Sequence, residues 1–175
     1  MSAYGDLMAS MSITAVSPDG KLMAVLTNRT DVRLRFRGAS YRHYTDAELG
    51  EQLTAVTTRL FTGRSRARAA IMTELNGHRV ADEDRTTRLD RRERRFRVLR
   101  AELVARGTSA GNLVRVSGRG MREWRVAVRP GTVDLIDAEQ FADELRTAVT
   151  GYFADTRIRL AEIRDRVYGT ASRPT

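Results

Sequence analysis

Apolar residues recur at three- and four-residue steps in two long stretches of the chain, residues 45–75 and residues 137–168. Such steps line one face of a helix, so we predict a long amphipathic helix in each stretch. Thr45 or Asp46 is the predicted N-cap of the first helix and Asp137 that of the second. An oxygen-bearing side chain at that position meets the unpaired amides of the first turn.

The two predicted helices repeat each other at a distance of 92 residues. At this offset the apolar positions coincide better than the residue identities do, which favours an internal duplication. The matched pairs are Leu49 with Phe141, Leu53 with Leu145, Leu60 with Tyr152, Phe61 with Phe153, and Ile71 with Ile163.

A predicted β-hairpin precedes each helix. In the first half, residues 12–16 and 21–27 flank the turn sequence Ser-Pro-Asp-Gly at 17–20. In the second half, residues 113–116 and 122–128 flank Ser-Gly-Arg-Gly at 117–120. These turns lie 100 residues apart. We therefore expect the second copy to lack about eight residues after its hairpin, with a third strand at 132–136 shorter than its counterpart at 31–37.

The central segment, residues 82–106, is predicted to be one charged helix that stops at Gly107. Its acidic residues crowd the first turn, which suits the helix dipole. A narrow apolar stripe would dock on the core or on a partner helix. The remaining circumference is either a solvated surface or a phosphate-contacting one. The stripe consists of Leu89, Phe96, Leu99 and Leu103, and the basic residues are Arg91, Arg92, Arg94, Arg95 and Arg97.

Residues 32–37 alternate strictly between apolar and basic side chains. Val32, Leu34 and Phe36 are predicted to face the core, with three arginines on the other face. Arg33, Arg35 and Arg37 would stand about 7 Å apart along the strand, a spacing that can follow a phosphate backbone. An ordinary solvent-facing strand explains the same pattern. A second basic cluster, Arg64, Arg66 and Arg68, belongs to the first half alone.

The formal net charge is +9 over 175 residues, and the excess lies on the predicted strands and the central segment. This placement favours a polyanionic partner. Lys21 is the single lysine and the other basic residues are arginine, a skew that is typical of a GC-rich genome and carries no information about nucleic acid.

No constellation of catalytic or metal-binding residues is recognisable. The chain has no cysteine, and His43 and His78 lie far apart without ligand companions. No phosphate-binding loop, nucleophile elbow or zinc motif occurs, and Ser117–Gly120 is interpreted as a turn. We expect no enzyme activity, no cofactor and no metal. No leader or membrane-spanning stretch is evident, so we expect a cytoplasmic protein, with leaderless secretion left open. Trp124 is expected in the core.

The turn at 17–20, the strands that follow and the Thr-Asp-Ala-Glu-Leu start of the helix at residue 45 resemble the YbaB/EbfC family of nucleoid-associated proteins. The resemblance covers residues 12–76, and residues 83–168 are similar to a degenerate second copy. It implies units of a helix, three strands and a helix that pair and bind DNA with little sequence preference. Two departures are the short N-terminal stretch of the first copy and the shortened third strand of the second. Some actinobacterial YbaB-like proteins resemble accessory factors of secretion systems.

We therefore expect an α+β protein of two YbaB-like halves closed into an intramolecular pseudo-dimer, or a homodimer. The units would be residues 1–78, the charged helix 79–107, and residues 108–175. The expected function is sequence-tolerant binding of duplex DNA in the nucleoid; the alternative is a protein-interaction adaptor or secretion accessory factor. The predicted DNA-binding residues are Arg33, Arg35, Arg37, Arg64, Arg66, Arg68, Arg91, Arg92, Arg94 and Arg95. The predicted partner interface is Leu89, Phe96, Leu99 and Leu103.

Overall fold

The chain is an α+β protein with two three-stranded antiparallel sheets, as predicted. The computed structural model describes residues 11–28, 30–76 and 90–169. The first sheet has the order β1 (Ile13–Val16), β2 (Leu22–Thr27), β3 (Asp31–Phe36), and the second the order β4 (Val104–Thr108), β5 (Val114–Arg119), β6 (Glu123–Val128). A 3-10 turn covers Ser40–His43. The helices are α1 (Asp46–Asn76), α2 (Arg91–Glu102), α3 (Thr132–Leu135) and α4 (Ala138–Tyr168).

The two halves repeat without a gap at an offset of 92 residues. The offset relates β2 to β5, β3 to β6, the 3-10 turn to α3, and α1 to α4, which both have 31 residues. The prediction that the hairpins lie 100 residues apart, with about eight residues lost from the second copy, is therefore wrong.

The misplaced hairpin has a local cause. The true counterpart of the turn at 17–20 is Ser-Ala-Gly-Asn at 109–112. In both turns a serine Oγ accepts a bond from the first amide of the next strand, Ser17 from Leu22 and Ser109 from Val114, each at 3.0 Å. Gly20 and Asn112 then take positive φ angles of 72° and 54°. Asparagine tolerates this conformation, but it is a weaker turn signal than glycine.

The elements that were predicted around that hairpin therefore have different positions in the structure. Ser117 and Gly118 lie inside β5, and residues 132–136, predicted as a strand, begin with the short helix α3. The predicted central helix ends at Glu102, and residues 104–108 form β4. Gly107 does not stop a helix. It lets α4 pass over β4, since a Cβ there would lie 2.0 Å from the Ala148 carbonyl oxygen.

Each long helix packs on strands of both halves. Helix α1 lies against β1 and β2 and also against β6, while α4 lies against β4 and β5 and also against β3. Phe61 of α1 stacks on Trp124 of β6 with ring centroids 4.2 Å apart, and it lies 5.6 Å from Phe153 of α4. Trp124 is buried, as predicted. The two halves therefore share one hydrophobic core.

The residues predicted to cap the two long helices have different roles in the structure. Thr45 Oγ1 accepts from the Glu48 amide at 3.2 Å, so Thr45 caps α1. Asp46 instead reaches the second half, where its carboxylate accepts from the amides of Gly131 at 2.7 Å and Val133 at 2.9 Å. The predicted cap Asp137 is confirmed by a capping box with Gln140.

Candidate nucleic-acid interface

The arginines of β3 lie on the solvent face of the first sheet. Val32 and Leu34 are buried beneath the strand, whereas Arg33 and Arg35 are exposed on the opposite side. Arg37 follows the strand and is also exposed. The predicted alternation of Arg33 and Arg35 is therefore confirmed. The Arg33 side chain is 73% exposed even though its Nε lies 3.5 Å from Asp31 Oδ2.

The second sheet carries a larger set of outward-facing arginines that were not predicted. They are Arg106 on β4, Arg115 and Arg119 on β5, Arg125 on β6, and Arg129 just after β6, all exposed. Across the strands Arg106, Ser117 and Arg125 are register partners, so the two guanidiniums start from strands about 10 Å apart. Within the three strands Glu123 is the one acidic residue. We call these arginines, with Arg33, Arg35 and Arg37, the sheet-face arginines.

The sequence contains a pattern from which arginines on the outer face of the second sheet can be predicted. Applying the 92-residue helix offset to the strands places Arg125 on Arg33 and Arg129 on Arg37. The stretch 114–119 also alternates between buried and exposed positions. Ser117 and Gly118 hid that alternation, because this pair is typical of a turn. Gly118 is needed within the strand, since a Cβ there would meet the Tyr152 hydroxyl at 2.9 Å.

Most sheet-face arginines have no carboxylate partner. In the described part of the chain, three ion pairs form: Arg33 with Asp31, Arg146 with Asp143, and Arg159 with Asp155. The last two lie on α4. Exposed cations that lack a partner keep their full attraction for a polyanion.

A further cluster gathers arginines from three elements around Arg100 of α2. Burial lowers the pKa of Arg100, and the nearby guanidiniums of Arg68, Arg122 and Arg97 lower it further. The turn carrying Arg122 is fixed to the end of α2, because the Gly120 amide donates to the Leu103 carbonyl at 2.8 Å. Arg68, predicted from the first helix, and Arg97, from the central segment, are thus brought together.

The other predicted basic residues are more dispersed. Arg64 is half-buried, with its guanidinium carbon 5.9 Å from the ring centroids of both Phe61 and Phe153. Arg66 is exposed on α1. The predicted residues of the central segment, Arg91, Arg92, Arg94 and Arg95, are exposed on the first turns of α2.

The predicted apolar stripe of the central helix contacts the chain itself. Phe96 and Leu99 are half-buried, and the Phe96 ring lies 5.8 Å from that of Tyr168 on α4. Leu103 is buried. Leu89 lies outside the described residues. Phe96 and Leu99 therefore keep only part of their surface accessible to a partner.

Strand β4 is held to α4 by Asp155. The Asp155 carboxylate accepts from the Arg106 amide at 2.8 Å and pairs with Arg159 at 2.9 Å. Burial acts to raise the pKa of Asp155, but the Arg106 amide and Arg159 outweigh it, and the net pKa is below the usual value. This contact positions the edge of the second arginine-bearing sheet.

Residues 11–28, 30–76 and 90–169 contain no group of three or more His, Asp or Glu side chains placed to hold a metal ion. His43 is exposed, and His78 lies outside these ranges. Over the same residues, no helix has the length and apolarity needed to cross a membrane. No protein-family model, curated protein or solved structure matches this chain.

Proposed function

We propose that this chain is a non-enzymatic protein that binds duplex DNA with little sequence preference. The observation that carries the proposal is the set of sheet-face arginines on both sheets, most of them without a carboxylate partner. Guanidiniums at strand spacing contact phosphates and release counterions, and this supplies affinity that does not depend on sequence. The repeated order of three strands and a long helix also supports our proposal of two YbaB-like copies closed as a pseudo-dimer, acting in the nucleoid.

The second sheet is proposed to contribute the larger share of DNA contacts. On its outer face Arg115 stands beside Thr108 and Ala127, and Arg125 beside Ser117, whereas Arg119 lies between Val104 and Glu123. The first sheet is less polar, because Met23 and Val25 of β2 stand opposite Arg35 and Arg33. Small neighbours leave the guanidiniums of Arg115 and Arg125 room to approach a groove edge.

Fluorescence anisotropy with two labelled duplexes of unrelated sequence tests this proposal. At about 50 mM salt, we expect similar micromolar-range affinities for both duplexes. Changing Arg115, Arg119 and Arg125 to glutamine should weaken binding at least tenfold. The control changes Arg146, Arg164 and Arg166 of α4 to glutamine, which removes the same charge outside the sheets. Equal losses in both variants, or no binding by the unaltered protein, would contradict the proposal.

A protein-interaction adaptor, such as a secretion accessory factor, is the second candidate. The observation favouring it is an apolar patch on the first sheet, where Val16 is 44% exposed beside half-buried Met23 and Val25. A shallow cleft of about 340 Å³ at one end of this patch is also lined by Phe36 and Arg35. If DNA is the partner, a variant in which Val16 and Met23 are changed to serine should bind DNA as well as the unaltered protein does. If the unaltered protein binds no DNA, the result favours the adaptor.

A further inference from the structure

A cleft of about 410 Å³ opens between the two halves, and its lining includes none of the sheet-face arginines. Four elements line it: the β2–β3 turn, α1, the β5–β6 turn and α4. Its volume lies in the range of small-molecule sites, which also favour boundaries between structural units. The cleft is asymmetric, because Arg64 of α1 and Thr156 of α4 occupy equivalent positions of the repeat.

Several lining residues offer hydrogen-bond donors. They are Arg157 with its guanidinium, Asn28 with its amide and Thr30 with its hydroxyl. Arg64 also lines the cleft, where its guanidinium lies against the rings of Phe61 and Phe153. Thr150 and Thr156 are different, because their hydroxyls already donate to the carbonyls of Arg146 and Tyr152. Among the described lining residues there is no carboxylate. These donors therefore suit a ligand that is anionic and rich in acceptors.

The remaining lining is apolar. Phe153, Met121 and Leu160 contribute a ring, a flexible thioether and a branched chain. The Phe153 ring belongs to the shared core, so it is a rigid wall. A ligand that fills the cleft must carry an apolar or aromatic body joined to its anionic group.

We propose that this cleft binds an organic phosphate of nucleotide size. Guanidinium groups recognise phosphate through paired N–H donors, and the Asn28 and Thr30 side chains add neutral donors for the remaining oxygens. The aromatic and aliphatic wall takes the base or another flat apolar moiety. This site lies on residues other than the sheet-face arginines, so the proposal does not depend on DNA binding.

The test is anisotropy of the fluorescent nucleotide mant-ATP with the full chain, in low salt and with a chelator. We expect saturable binding with a Kd below about 1 mM. Arg157→Gln should weaken it at least fivefold. Thr30→Glu, in an exposed turn, should weaken it at least tenfold because it places a carboxylate against the phosphate. Arg164→Gln, on the exposed surface of α4, is the matched control and should leave the affinity unchanged.

Two further measurements identify which part of the ligand is recognised and which surface of the protein binds it. Inorganic phosphate should compete at least tenfold more weakly than ATP, because it lacks the apolar body. Arg115→Gln should not change nucleotide binding, although it belongs to the proposed DNA surface. The proposal is overturned if mant-ATP does not bind, if phosphate competes as well as ATP, or if Arg164→Gln weakens binding as much as Arg157→Gln. Thermal unfolding of each variant confirms that the loss is local.

Discussion

Thr54 of α1 accepts a hydrogen bond from the Val126 amide of β6 at 2.9 Å, although the two residues belong to different halves. The Thr54 hydroxyl donates to the Gly50 carbonyl within its own helix at 2.8 Å. Gly50 permits this approach, since a Cβ there would lie 3.1 Å from the Val126 carbonyl oxygen. The helix thus covers the free edge of β6, which would otherwise present unpaired backbone groups.

Replacing Thr54 by valine is expected to lower the free energy of unfolding by about 1–2 kcal/mol. The shape is retained, but the Val126 amide loses its acceptor in a half-buried position. Urea denaturation measures the change. Thr58→Val is the control, because Thr58 bonds only the Thr54 carbonyl of its own helix. A loss at position 58 as large as that at position 54 would show that the contact between the halves contributes nothing.

Gly107→Ala is expected to destabilise the fold by about 3 kcal/mol or more, because the added methyl group collides with backbone atoms of α4. Gly151 lies on the other side of the same contact. A Cβ at Gly151 would meet Gly107 Cα at 3.5 Å, an ordinary van der Waals distance. Gly151→Ala should therefore be neutral or stabilise by up to about 1 kcal/mol through helix propensity. Thermal or urea unfolding of the two variants gives the comparison, and similar losses in both would contradict the close approach.

The proposed DNA binding predicts a salt dependence whose slope counts the phosphate contacts. Removing Arg115, Arg119 and Arg125 should reduce the slope of log K against log salt by about 2.7, at about 0.9 per lost contact. The measurement is a series of anisotropy titrations at increasing salt. An unchanged slope with weaker binding would mean that these residues act through folding and not through phosphates.

Asp155 predicts an acid-dependent part of the stability. Its pKa in the folded chain lies below the unfolded value of about 3.9, so its contribution is present above that value and is lost as the pH falls through the folded pKa. Asp155→Asn should cost about 1 kcal/mol at neutral pH and flatten the stability profile in this acidic range. Asp143→Asn is the control, since Asp143 pairs only with exposed Arg146 on its own helix. The prediction fails if the two variants have the same pH profile between about pH 2 and 5.

The shared core predicts that one chain is a complete folding unit. Because both long helices already cover strands of the opposite half, we expect light scattering to give the mass of a single chain across a wide range of concentrations. A stable dimer at low micromolar concentration would mean that the halves exchange helices between chains. Variants of Phe61, which stacks on Trp124, would then change the dimer's dissociation constant.

The long helices were predictable because their apolar stripes are long and periodic. The predicted stretch 45–75 differs from α1 by one residue at each end, and the stretch 137–168 differs from α4 by one residue at its start only. The second hairpin was not predictable in the same way. Its turn uses Asn112 where the first copy has Gly20, while Gly118 and Gly120 imitate a turn eight residues later.

The misplaced second hairpin also left part of the basic surface out of the prediction. Arg33 and Arg35 were found because Val32 and Leu34 alternate with them without interruption. Arg115 and Arg119 were missed because Gly118 breaks the alternation, and the glycine is explained only in the fold, where a Cβ would meet Tyr152 of α4 and the Glu123 carbonyl. Arg64 and Arg68 do share a face of α1, but they lie about one turn, roughly 6 Å, apart along the helix, with Arg64 at the cleft and Arg68 beside Arg100.

The crossed packing of the helices also bears on how the chain is made. Thr54 is synthesised 72 residues before Val126, whose amide donates a hydrogen bond to it in the folded chain. Until β6 emerges, the face of α1 that carries Phe61 has no sheet to cover it from the second half. The first half is therefore synthesised with an open apolar helix face, and the nascent protein must remain unaggregated until most of the second half has been translated.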